Sequence, residues 1–202
     1  MHIIDLDARA VRASAELVST ASAADLSKPT PCLGWTLYGL LAHMTTQHYG
    51  FAAASRGDGD PATWKLLSLG ADPVHAYLDS AEHVIAAFAA DGVPERAFPL
   101  PEFRPEPFPA EQAIGFHLVD YVVHAWDVAK TLGAGLELDD DVLDAAHAVA
   151  AVVPAGPARL APGAAFGPVV PWKGGSRLDQ LVAHLGRSPA WTSPFEPHFA
   201  SA

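Results

Sequence analysis

The chain has 202 residues, half of them apolar, a net charge of −11 from 12 basic and 23 acidic residues, and one cysteine, Cys32. That length and apolar share suit a single core with at most a short appendage, and exclude a disordered or disulfide-stapled chain. The acidic balance, with Lys and Arg never clustered, argues against nucleic acid, and no uninterrupted apolar run is long enough for a membrane span.

The opening stretch, MHIIDLDARAVRASAEL, has no cationic leader ahead of an apolar run, which fits a cytoplasmic protein. Its apolar spacing predicts a first helix over 5–22. LSKPTPCLGW (26–35) is broken by Pro29, Pro31 and Gly34 and reads as a loop. Thr36 then caps a second helix, with Leu37, Leu40, Leu41 and Met44 as its stripe, running to about residue 55. Asp72 and Pro73 open a third helix to residue 90. A Pro-rich connection with a short strand at 97–100 leads to a fourth helix, 110–132, preceded by Pro109 and stopped by Gly133. Asp139 caps a fifth helix to about residue 153, and after a Pro- and Gly-rich stretch a short helix covers 178–186. The sum is an all-α protein: a four-helix bundle over 1–153 with a short, irregular extension, 154–202, packed on it.

The fourth helix carries an unusual pattern. HLVDYVVHAWD (117–127) is apolar apart from His117, Asp120, His124 and Asp127. At about 100° per residue those four fall within a wedge of roughly 80°. A narrow solvent face is one reading. Solvent faces, however, use Lys, Glu, Gln, Arg and Ser, and this stripe holds only His and Asp. Asp120 and His124, four apart, are neighbours and read better as two metal ligands projecting into a bundle. His117 lies about 10 Å from His124 along the axis, poorly placed to share one ion. A third ligand has to come from a facing helix, and the second helix offers His43. Taken alone, such a histidine is more often a hydrogen-bonded core residue. His48, about 140° further round, faces elsewhere.

PTPCLGWTLYGLLAH (29–43), HLVDYVVHAWDVAK (117–130) and LVAHLGRSPAW (181–191) resemble, in order and spacing, the family related to mycothiol-dependent maleylpyruvate isomerase, within the DinB-like superfamily of helical-bundle metalloproteins. The resemblance implies a divalent metal, zinc ahead of nickel or iron, held by His43, Asp120 and His124, which would also be the catalytic residues. It implies a transferase or isomerase in which a metal-bound thiolate, that of mycothiol, attacks a small electrophilic substrate. The isomerase uses glutamate where Asp120 stands. The shorter aspartate either draws the ion closer to the helix or calls in His117 or a water. The isomerase also has a sizeable C-terminal domain after its bundle, so thiol-binding groups from there do not carry over. With no cluster of Arg or Lys to hold a dicarboxylate, maleylpyruvate is not the expected substrate.

Two other readings stay open: a thiol-independent cyclase, lyase or hydrolase using the metal as Lewis acid or to activate water, and a non-catalytic metal- or small-molecule-binding module. A homodimer through a bundle face also stays open. His117 and Asp127 are candidates to orient a ligand imidazole, Asp127 equally to pair locally with Lys130. Trp35 and Trp126 read as packing residues, Cys32 as a small buried hydrophobe and Arg187 as a structural salt-bridge partner rather than an anion site.

Overall fold

The structure is a computed structural model and describes residues 2–161 and 164–194. Its described residues form helices α1 (Ile3–Ser19), α2 (Leu37–Ala54), α3 (Pro73–Phe88), α4 (Ala110–Leu132), α5 (Asp140–Ala150) and α6 (Arg177–His184). Strand β1 (Ala97–Phe98) pairs antiparallel with β2 (Phe108–Pro109), a partner the sequence reading did not foresee. Among the described residues no helix is long and apolar enough to cross a membrane.

Local chemistry sets the helix ends. Thr36 Oγ1 accepts the N–H of Gly39, and the Asp72 carboxylate accepts that of His75, each satisfying a donor that the first turn leaves unpaired. Gly133, at φ +67°, closes α4: its N–H bonds Lys130 O and that of Ala134 bonds Ala129 O, the two bonds of a Schellman stop. Asp139 stands at the N-cap of α5 but makes no cap bond. Its carboxylate is taken by Arg9 of α1 at 2.6 Å, tying α1 to the α5 entrance. Helix α5 ends at Ala150 rather than near 153, where a turn leads into Pro154.

Helices α1 and α2 each pack on both α3 and α4, which closes the four-helix bundle. The α1–α4 interior holds Val11, Leu37, Leu40, Met44, Val84, Phe88 and Ile114. A second cluster lies on the far side of α4, where Leu118, Val119, Val122, Val123 and Trp126 meet Val142 and Leu143 of α5, Leu181 and Val182 of α6, and Phe166 and Leu185 beside it. Each such side chain, fully buried, contributes roughly 1.5–3 kcal/mol of transfer free energy. Covered on both sides, α4 is apolar nearly all round. Its few polar residues therefore sit inside the protein. The segment before α3 lies flat on α2, because a Cβ on Gly50 would stand 2.6 Å from the Trp64 indole. Leu67 N–H donates to Thr46 Oγ1 there at 3.0 Å.

Candidate metal centre

His43 of α2 faces Asp120 and His124 of α4, and the structure brings the three together: one donor atom from each lies within 4.8 Å of the other two. The His43 and His124 rings stand edge to face at 5.3 Å. His124 Nε2 is 3.4 Å from Asp120 Oδ1. That is long for a charge-assisted hydrogen bond, which runs at about 2.7–2.9 Å. Two donors each about 2.05 Å from one ion at the tetrahedral angle stand roughly 3.3 Å apart, so the gap suits a shared metal. Asp120 and His124 share a face one turn apart, which sets that spacing. His124 is buried, whereas Asp120 and His43 are partly exposed, so the site reaches the surface on their side. Burial, with His124 adding to it, pushes His43 down to about 4 against the pull of Asp120, so its ring is neutral with a free lone pair near pH 7. Trp35 packs on that ring at 4.7 Å.

Behind His124 stands a second tier. His124 Nδ1–H donates to Asp127 Oδ2 at 2.9 Å, which directs Nε2 at Asp120. Asp127 is fully buried and does not pair with Lys130, whose Nζ instead donates to Pro189 O at 3.2 Å. The partner of Asp127 is Arg187, whose Nε donates to Oδ1 at 3.1 Å and whose Nη2 donates to Oδ2 at 3.1 Å. Burial opposes the charge on Arg187, but Asp127 offsets it and holds the guanidinium above its ordinary value. Cys32 is half-buried, nearer the site than a packing role required, with Sγ within 4.8 Å of donor atoms of His124 and Asp127. Those three donors could also grip an ion, but Asp127 already carries the guanidinium. Burial raises the Cys32 thiol to about 11, against the pull of Arg187, so it stays protonated.

His117, foreseen as an orienting group or substitute ligand, takes neither place. Its Nδ1 donates to Asp7 Oδ1 of α1 at 2.7 Å, with both residues fully buried. His48 is buried alongside, its Nδ1 2.8 Å from Ser80 Oγ, and stacks on Tyr121 at 4.3 Å, as His117 does at 4.2 Å. The polar line on α4 thus divides. One turn pairs inward with α1, and the next two face α2 and the C-terminal segment. The pairing with Asp7 had no local signal, being 110 residues away. Arg187 carried one in GRSP: glycine to stop α6, then an arginine turned back toward the bundle.

Comparison with known proteins agrees with this architecture. The family described as the mycothiol maleylpyruvate isomerase N-terminal domain matches residues 8–129, from α1 through nearly all of α4. Two proteins of Mycobacterium tuberculosis, the uncharacterized Rv0738 of strain ATCC 25618 / H37Rv and MT0763 of strain CDC 1551 / Oshkosh, are each 32% identical over 181 residues, 89% of this chain and 94% of theirs. The crystal structure of the mycothiol-dependent maleylpyruvate isomerase superposes with a TM-score of 0.57 at 15% identity, a likeness of fold. The match covers 74% of this chain, which spans 66% of that one. Matched by the family over more than half its length and by these relatives over most of it, the chain belongs to the family of the mycothiol maleylpyruvate isomerase N-terminal domain, built on a DinB-like helical bundle.

Proposed function

We propose that this protein is a thiol-dependent metalloenzyme of the transferase or isomerase type, with His43, Asp120 and His124 as ligands of a divalent ion, zinc first, and a low-molecular-weight thiol, mycothiol by family likeness, as co-substrate. The 3.4 Å gap between His124 Nε2 and Asp120 Oδ1, faced by His43, carries the proposal. An ion bound there would supply the charge that lets a thiol give up its proton near pH 7. The chain's own residues do the rest. His43 and His124 offer neutral nitrogens, Asp127 fixes the tautomer of His124, and the partly exposed side chains of Asp120 and His43 mark the side from which a thiol and an electrophile would approach.

The charges favour an uncharged electrophile. Arg187 is the cation whose field reaches His43 and Cys32, and it is committed to Asp127. Phe103, in the loop between β1 and β2, stacks on Phe116, one turn before Asp120, at 5.7 Å. The neighbouring Glu102 lies at the surface, where partial desolvation followed by the Asp120 charge holds its carboxyl above the usual range. A dicarboxylate would meet carboxylates on this side.

The test is cobalt substitution followed by titration with a thiol. A sulfur-to-cobalt charge-transfer band that saturates with thiol, and is absent in His124→Ala, is the expected result. A cobalt-loaded protein whose spectrum ignores thiols would overturn the thiol reading while leaving the metal site standing.

A further inference from the structure

We infer that Arg187 is a positioning residue of the metal centre, so that the C-terminal segment completes the site. The inference rests on the metal reading above, and on the construction of the segment itself.

Helix α6 ends in a Schellman stop, in which the Gly186 N–H bonds Ala183 O and the Arg187 N–H bonds Val182 O at 2.8 Å. Gly186 sits at φ +89°, and a Cβ there would lie 2.7 Å from the Gly167 backbone. The chain can make this turn only with glycine, and the turn sends the next side chain inward. Arg187 is only 8% exposed and spends Nε and Nη2 on a carboxylate that is itself fully buried. A guanidinium fork suits this two-oxygen grip as an ammonium does not.

The fork leaves the carboxylate one orientation. Asp127 Oδ2, held by Arg187, is the atom that receives His124 Nδ1–H. With the carboxylate fixed, the imidazole is fixed in both tautomer and rotation, and Nε2 points at Asp120. Without Arg187, Asp127 is free to turn and His124 loses its reason to present one nitrogen. Groups that orient a ligand histidine in this way cost roughly 10- to 100-fold in metal affinity when removed.

Arg159 supplies the control. It too belongs to the C-terminal segment and is 5% exposed, but it donates to backbone carbonyls, those of Pro154, Gly167 and His184, and not to the metal centre. Arg187→Met, Arg187→Lys, Arg159→Met and Asp127→Asn are compared by Tm, by competitive titration with Zn2+, and by the tautomer of His124 in metal-free protein from 15N imidazole NMR. Arg187→Met and Arg159→Met should both lower Tm. Only Arg187→Met should weaken Zn2+ by roughly 10- to 100-fold and turn the single Nδ1–H form of His124 into a mixture. Arg187→Lys should fall between, which keeps the test alive if the methionine variant does not fold. In an Asp127→Asn background, loss of Arg187 should add little, because it acts through that residue.

If Arg187→Met behaves as Arg159→Met does, with lower Tm but unchanged Zn2+ affinity and tautomer, the inference is wrong and the metal reading survives. A wild-type protein that takes up no Zn2+ defeats the metal reading. In that case a single His124 tautomer in wild type that persists in Arg187→Met defeats the inference as well.

Discussion

The Asp7–His117 pair offers the sharpest test of how this bundle tolerates polar groups. Asp7→Ala removes the partner of His117 Nδ1, while His117 Nε2 is already without a hydrogen-bond partner. The imidazole would then be fully buried with neither nitrogen satisfied. Leaving a buried polar group unpaired costs about 1–3 kcal/mol, and we take the upper end, about 3 kcal/mol, because both ring nitrogens are then unpaired. For a chain of this size each kcal/mol moves Tm by roughly 2–4 °C, so Asp7→Ala should melt about 6–12 °C below wild type. The companion Asp7→Leu/His117→Phe should recover most of that, because the ring of His117 already packs among Phe51 at 5.0 Å, Phe88 at 5.2 Å and Tyr121 at 4.2 Å, contacts a phenylalanine can keep. The assay is thermal and urea unfolding in a chelator, so that metal binding adds nothing to the apparent stability. A loss under 1 kcal/mol for Asp7→Ala, or a double variant no more stable than the single one, would refute the reasoning.

Other consequences are checked more simply. His43→Ala and His124→Ala should each reduce bound metal from about one ion per chain to a small fraction, by elemental analysis after dialysis, with helical content unchanged by circular dichroism. His43 lies near 4, and burial with His117 and His83 holds His48 well below 6.5, so both bind protons more weakly when folded than unfolded. Their contribution to stability is therefore full above 6.5 and is lost as pH falls from there toward the folded values. Urea midpoints should drop across that interval, and less so in His48→Phe; a midpoint independent of pH would contradict the buried neutral imidazole. Gly50→Ala should lower Tm by forcing Trp64 off α2, and a Tm at or above wild type would show that the indole can move aside.

Much of the bundle was legible because short-range chemistry fixed it. Pro109 and Gly133 bracket α4 at the residues the structure uses, and Thr36 and Asp72 cap as their positions suggest. Asp120 and His124 were legible as a pair because one helical turn sets their spacing, whereas His43 was singled out by family resemblance and is brought beside them by the fold. What was hidden depends on which distant group each polar residue meets. Asp139 looked like a cap and is instead the counterion of Arg9. Asp127 had Lys130 nearby on its own helix, yet its cation comes from 60 residues away, because α6 folds back over α4 and its glycine stop turns the chain inward. Cys32 looked like packing and stands beside the site, since the loop before α2 is pinned by Thr30 Oγ1, which donates to the carbonyls of Cys32 and Trp35.

One helix face serves two unlike purposes, and the separation between them is a matter of rise and closure. Seven residues carry His124 about 10 Å along α4 from His117. At the His117 level α1, α2 and α3 close over the helix, so an imidazole there must find a partner inside the protein, and Asp7 of α1 provides it. At the Asp120–His124 level the site reaches the surface, with Asp120 26% exposed in its side chain. Tyr121 stands between the levels with its hydroxyl donated to the Met44 carbonyl. The two clusters should then be energetically independent: Asp7→Ala should cost stability without changing Zn2+ affinity, and Arg187→Met should change affinity whether or not Asp7 is present. Coupling between those two variants beyond about 0.5 kcal/mol, the usual additivity of distant sites, would mean that α4 transmits strain between its two polar levels rather than insulating them.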